Sequence, residues 1–281
     1  MPGQPVLKTA GLKPTKIGIL LRVALYVVVA YLGLALFSLA LYPLQQPFVA
    51  PIFVTFAAAA VANALLVRIF ERGTLSDLGL QWGEGSGRQF AIGAGSAAAC
   101  AVLCLAIPML ARLAVFEPAE RPAHMAATVA FEIVFLLFGA AGEELLFHGY
   151  AFQLLARTIG AFATILPVGV LFGFRHSGNP NATLLSVANT MGWGILLGYA
   201  YVRTQALWMP IGMHFGWNLV LPLFGVNLSG IVIPVSGHEL HWKTGDLWSG
   251  GSYGLEGGVL TSLVVIVLFI VVQRFTRSPE G

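Results

Sequence analysis

Apolar residues run along this chain in long unbroken blocks, without the period-two or period-3.6 alternation of a half-buried soluble element. Crossing the hydrocarbon core of a bilayer takes about 20 mostly apolar residues. The stretches Ile17–Leu41, Pro47–Phe70, Phe90–Phe116, Ala126–Ala141, Ala161–Phe174, Ala182–Val202, Ala206–Phe224 and Val259–Val272 are of that kind, and the pattern predicts eight membrane helices. The fourth run is short, and its helix is expected to continue past Glu143 to about Arg157. Polar, Gly-rich intervals separate the runs. One is Glu71–Arg88. The longest is Gly225–Gly258, expected on the outer side, folding back to the bilayer surface through Trp242 and Trp248. There is no internal repeat. The organisation expected is an all-α polytopic integral membrane protein: a tail at 1–15, one transmembrane helical domain at 16–274, and a tail at 275–281.

Composition agrees with the pattern. The chain is 57% hydrophobic and 10% charged, whereas about a quarter of the residues of a soluble domain carry charge. The first apolar run is too long for the core of a signal peptide and lacks a small-residue cleavage site, so it reads as a retained anchor. The formal net charge of +3 is a matter of topology rather than of nucleic acid. With the N-terminus in the cytoplasm, eight spans leave only Arg112, Arg121, Arg175 and Lys243 on the outer half. The remaining Lys and Arg, Lys8, Lys13 and Arg277 among them, fall at the inner side. Both termini are therefore expected in the cytoplasm, in a cell membrane and most simply a bacterial plasma membrane. Cys100 and Cys104, one helical turn apart inside an apolar run, read as packing residues.

Against this background a few ionisable residues stand out. A charged side chain at mid-bilayer costs about 2.5–3.5 kcal/mol on insertion scales, so each one is a functional hypothesis. Three segments hold them: Glu143-Glu144 with His148, Phe172 with His176, and His214 with Asn218. Residues four apart share a helix face, which pairs Glu144 with His148 and His214 with Asn218, while Glu143 points about 100° away from Glu144. Each group alone has a plain structural reading, Glu144–His148 as an ion pair and His176 as a packing histidine. Measured from the inner helix ends at about 1.5 Å per residue, Glu143, His176, His214 and Asn218 fall at roughly 21, 24, 12 and 18 Å, one middle layer.

Peptide hydrolysis needs an activated water and a stabiliser for the tetrahedral oxyanion. Glu143 is the candidate general base. His176 is placed to hold the same water, and His214 and Asn218 to donate to the oxyanion. A metal version is also chemically sound, with Glu143, His176 and His214 as ligands of a divalent ion such as zinc. No HExxH is present. The run His238-Glu239-Leu240-His241 has its histidines three apart and reads as a solvated loop.

In order, Glu143-Glu144-x-x-x-His148, Phe172-x-x-x-His176 and His214-x-x-x-Asn218 resemble the EExxxR, FxxxH and HxxxN motifs of the CPBP family. That family of intramembrane proteases takes in type II CAAX prenyl endopeptidases and bacteriocin-processing, ABI-like enzymes. The resemblance extends over about Leu75 to Leu260, including Leu78–Leu80 and the Gly-Leu-Glu-Gly-Gly run at Gly254–Gly258. It implies a membrane-embedded endopeptidase, labelled a metalloprotease in some members. Glu143 and His176 would activate water, His214 and Asn218 would steady the oxyanion, and Glu144, His148 and Phe172 would support them. Its partners would be a peptide or protein substrate at the membrane and the lipid bilayer. His148 departs from the pattern: the motif's Arg is always charged and braces a carboxylate bidentately, whereas a His is shorter and titrates. The alternatives are a catalytically silent scaffold or immunity protein of the same fold, and a transporter. The first would be favoured by loss of a catalytic group, the second by internal symmetry; neither is seen.

Overall fold

The computed structural model describes residues 15–44, 49–119 and 125–276. The two expected tails lie outside that range except for Thr15, Phe275 and Thr276, and so do Lys8, Lys13, Arg121 and Arg277.

The protein is mostly helical. The described helices are α1 (Lys16–Leu41), α2 (Val49–Leu66), α3 (Ser86–Leu110), α4 (Met125–His148), α5 (Tyr150–Ile159), α6 (Ala161–His176), α7 (Leu184–Thr204), α8 (Trp208–Leu223), the short α9 (Asp246–Ser249) and α10 (Val259–Phe275). Among the described residues, three helical stretches are long and apolar enough to cross a membrane: Lys16–Leu41, Ala50–Glu71 and Ser86–Leu110. Helix α1 is fixed at its start by Thr15, whose hydroxyl accepts from Gly18 N at 3.1 Å. It leaves Ile17, Leu20, Leu21, Leu32, Leu36 and Leu39 exposed, an apolar face that water would penalise and lipid accepts.

Helices in lipid associate by close packing, and small residues let their backbones approach. Helices α3 and α8 meet this way: a side chain on Gly212 would run into Phe90 O, and one on Gly216 into Ala94 O. Helices α6 and α7 meet at Gly169 and Gly173, where added carbon would strike the backbones of Ile195 and Met191. These two crossings place the helices that carry the histidines.

The structure corrects three expectations. First, the fourth helix does not run through to Arg157. It ends at His148, and α5 starts after Gly149 in a new direction. The buried Asn63 of α2 explains the break. Its amide Nδ2 donates to Leu145 O at 2.8 Å, and its Oδ1 accepts from Tyr150 N at 2.6 Å, so one side chain satisfies backbone groups of both helix ends. Tyr26 of α1 donates to Leu146 O at 2.8 Å. Only glycine fits at position 149, where a Cβ would collide with Asn63 Oδ1 and Leu145 O. The depth reckoned for Glu143 from a helix continuous to Arg157 therefore does not apply. The break is tied further by Glu71, which accepts from Arg22 at 3.1 Å and from the Tyr150 hydroxyl at 3.2 Å, joining α1, the end of the second span and α5. Asn63→Ala is expected to destabilise the protein by about 1–3 kcal/mol, the cost of leaving a buried backbone donor unpaired, and thermal unfolding in detergent checks this.

Second, the span expected at Phe90–Phe116 ends at Leu110, and Ala114–Pro118 is a strand, β1. Third, the run His238–Trp242 is not a loop but β2, paired antiparallel with β1 so that Phe116 faces Leu240 and Glu117 faces Glu239. The His238 ring stacks on Phe116 at 4.8 Å, and Trp242 packs partly buried against the core rather than lying on the surface. Trp248 stays exposed. This antiparallel pair ties the segment after α3 to the long connection between α8 and α10. Cys100 and Cys104 are free thiols, half-buried in α3.

Candidate active site

The main core packs α3, α4, α6, α7, α8 and α10 around Phe135, Leu136, Phe172, Trp193, Leu197, Met213 and Trp217. Beside it is a cavity of about 270 Å³. Glu143 of α4, His176 at the end of α6, and His214 and Asn218 of α8 all line it, with Phe172, Trp193 and Trp217 as aromatic walls. The four residues singled out from sequence are thus brought together from three helices.

The two glutamates do different things, as their different directions on α4 require. Glu144 is fully buried and grips two imidazoles. Its Oε2 accepts from His148 Nδ1 at 2.7 Å and its Oε1 from His214 Nδ1 at 2.9 Å. A carboxylate only accepts, so both rings carry their proton on Nδ1 at these contacts. His148, which stands where the family motif has Arg, therefore does hold Glu144 through one turn of helix. It is completely buried, with its ring edge-on to Phe152 and its Nε2 close to Gly198, where any added Cβ would lie 3.2 Å away.

Glu143 faces the cavity. Its Oε2 is 3.7 Å from His176 Nε2 and 3.8 Å from His214 Nε2, and that oxygen is buried without a hydrogen-bond partner among the described residues. His176 in turn donates from Nδ1 to Phe172 O at 2.8 Å, which leaves its Nε2 lone pair toward Glu143 when the ring is neutral. The Phe172 ring lies 4.9 Å from the His176 ring and 6.1 Å from that of His214, a wedge that keeps both imidazoles in place. That is the physical content of the Phe-x-x-x-His spacing: the ring one turn back both packs the imidazole and, through its backbone carbonyl, sets the tautomer.

The gaps at Glu143 test the metal reading. Ligand atoms about 2.0–2.1 Å from a tetrahedral zinc would lie about 3.3 Å apart. The observed 3.7 and 3.8 Å are wider, and among the described residues no group of three or more His, Cys, Asp or Glu is placed to hold a metal ion. A water held by Glu143 Oε2 at about 2.8 Å can reach either histidine Nε2 only from the side of these gaps. The set Glu143, His176 and His214 does not fit a metal as it stands, and no step below runs through one.

Two further charged residues line the cavity. The sequence assigns Arg175 only to the outer half; it lines the cavity beside His176. Glu256 was noticed only within a Gly-rich run; it also lines the cavity, and it accepts from Trp217 Nε1 at 3.3 Å and from Ser229 N and Oγ at 2.6 and 2.8 Å. A lone carboxylate between glycines in an otherwise weakly charged segment was the available signal.

No curated protein matches the chain. Residues 125–220, which span α4 to α8 and include Glu143, His176, His214 and Asn218, match the family described as Rce1-like, type II CAAX prenyl endopeptidase Rce1-like. Over that stretch the chain is similar to the Rce1-like, CAAX-protease-type family of membrane proteases.

Proposed function

We propose that the protein is an intramembrane endopeptidase that hydrolyses peptide bonds of membrane-associated or membrane-delivered peptides. The observation that carries this is the Glu143 carboxylate, without a hydrogen-bond partner at one buried oxygen among the described residues and facing the Nε2 atoms of two histidines at 3.7 and 3.8 Å.

In this reading a water between Glu143 and His176 donates one hydrogen bond to the carboxylate and one to His176 Nε2. As its oxygen attacks the scissile carbonyl carbon, its proton passes to Glu143. The carbonyl oxygen becomes an oxyanion that accepts hydrogen bonds from His214 Nε2–H and the Asn218 amide. His214 is already a donor from Nδ1 to Glu144, so it donates from Nε2 as an imidazolium, and Glu144 supplies the balancing charge. Glu143 then delivers the proton to the departing nitrogen as the C–N bond breaks, giving a carboxylic acid and an amine, and the acid's proton passes to the amine as carboxylate and ammonium leave. In this reading Glu143 acts as a carboxylate and His214 as an imidazolium.

The eight-span topology with both termini in the cytoplasm fits this reading. It places the cavity toward the outer ends of α6 and α8, under the connections 177–183 and 224–258. A substrate peptide and the surrounding lipid are the partners required; Arg175 and the aromatic walls are the groups a peptide would meet first.

The test uses the oxyanion donors. His214→Ala and Asn218→Ala are each expected to lower kcat on a membrane-peptide substrate by about 10²–10³-fold. KM should change little, because the interaction they remove is made in the transition state. A parent protein that is folded in detergent and cleaves no member of a broad membrane-peptide library would count against the reading. So would variants that cleave at the parental rate.

A further inference from the structure

We propose that Glu256 is a positioning residue for α8, acting through Trp217 to set the oxyanion donor Asn218 and through Ser229 to close the roof of the cavity; the proposal deepens the protease reading and rests on it for the role of Asn218.

The roof is built from three connections. The segment after α6 contributes Asn179, whose amide donates to Ser229 O at 3.1 Å. The connection after α8 contributes the tight turn Leu228–Ile231, with Ser229 and Gly230 both at positive φ. The segment before α10 contributes Glu256. Ser229 holds a left-handed conformation that a non-glycine residue avoids, and both its N–H and its hydroxyl point at Glu256 Oε2. Leu228, Ser229, Ile231 and Ile233 of this turn line the cavity directly.

The other carboxylate oxygen of Glu256 accepts from the indole of Trp217. Trp217 immediately precedes Asn218 on α8 and is buried against Trp193, with rings 5.2 Å apart. The backbone that carries Glu256 is itself held: Asn189 of α7 donates to Glu256 O at 2.8 Å and to Gly258 O at 2.9 Å, and Ser262 of α10 donates to the Asn189 side-chain oxygen at 2.7 Å. Glu256 thus ties a rigidly anchored loop to α8 at the position next to Asn218. The rotation of α8 about its axis, and with it the aim of Asn218, is fixed from the roof. A carboxylate is needed because three donors converge on two oxygens. A glutamine offers one accepting oxygen, which the two Ser229 donors would take, leaving its NH2 against the Trp217 N–H.

Glu256→Gln tests this with little change of shape. The expected result is a fall in kcat on the order of 100-fold, as for a misplacement of about 1 Å, with KM within about 3-fold of the parent and an unchanged folded fraction. Trp217→Phe, which keeps a ring and removes the donor, should show a similar fall. Adding Glu256→Gln to it should cost less than about 3-fold more, because both variants break one contact. An unchanged kcat per folded molecule, or a Glu256→Gln loss repeated in full in the Trp217→Phe background, would overturn the proposal. A second readout needs no substrate. The Trp217 indole 15N–1H signal, identified by its absence in Trp217→Phe, should exchange with solvent at least about 10-fold faster in Glu256→Gln than in the parent. Equal exchange would overturn the tie even where no cleavage is ever seen, whereas faster exchange without cleavage by the parent would sustain the tie and sink the protease reading.

Discussion

Replacing Glu143 by Gln should lower kcat by about 10²–10⁴-fold, the range a positioned general base contributes, with KM and thermal stability close to those of the parent. The reasoning runs from its surroundings. One oxygen of Glu143 has no hydrogen-bond partner among the described residues and the side chain borders the cavity, so no hydrogen bond at that oxygen is lost when the charge goes. The amide of Gln has nearly the shape of the carboxylate and still holds a water, but it cannot take the water's proton. His176 cannot replace it fully. Its Nε2 lone pair faces the same gap at 3.7 Å, yet its Nδ1 is tied to Phe172 O, and a proton taken there would form an imidazolium whose ion-pair partner among the described residues is position 143 itself. A steady-state comparison of kcat and KM, at matched folded protein, checks the expectation.

Glu144→Ala should do something different: unfold the protein more easily, by about 3–5 kcal/mol, as when one partner of a buried charged pair is removed. Glu144 is fully buried, and its two oxygens take the Nδ1 protons of His148 and His214. Without it both donors are left in a closed apolar site and His214 loses its balancing charge. Glu144→Gln separates the two consequences. Its oxygen still satisfies one imidazole and the other can change tautomer, so most of the stability should return. The imidazolium at position 214 loses its counter-charge all the same, so activity should stay low. Thermal unfolding in detergent, read beside cleavage rate, distinguishes these outcomes. A Glu144→Ala protein as stable as the parent would mean that the two imidazole contacts are not structural.

The convergence of the candidate residues on one cavity was legible in the sequence because polar residues in an apolar chain are conspicuous and the four-residue spacing fixes their faces. Glu143, His176, His214 and Asn218 needed nothing more. The pairing of Glu144 with His148 was legible for the same reason, since both lie on one helix. What depended on distant partners was not. The break at Gly149 is made by Asn63, from another helix and 82 residues earlier than Leu145, and no periodicity signals it. The strands β1 and β2 are five residues each and more than 100 residues apart in the chain. Each reads alone as the end of an apolar run or a polar loop, and only pairing makes them a sheet. Glu256 was hidden likewise, because what it does is set by Trp217 and Ser229, which lie on a different helix and in a different loop.

The most direct test is to incubate the parent and Glu143→Gln, folded to the same degree, with a membrane-peptide library in water enriched in oxygen-18 and to weigh the products. The parent should yield fragments whose new C-terminal carboxylate carries one heavy oxygen, and the variant almost none. The same fragments formed at equal rates by both proteins would contradict the assignment of Glu143 as the base that activates water.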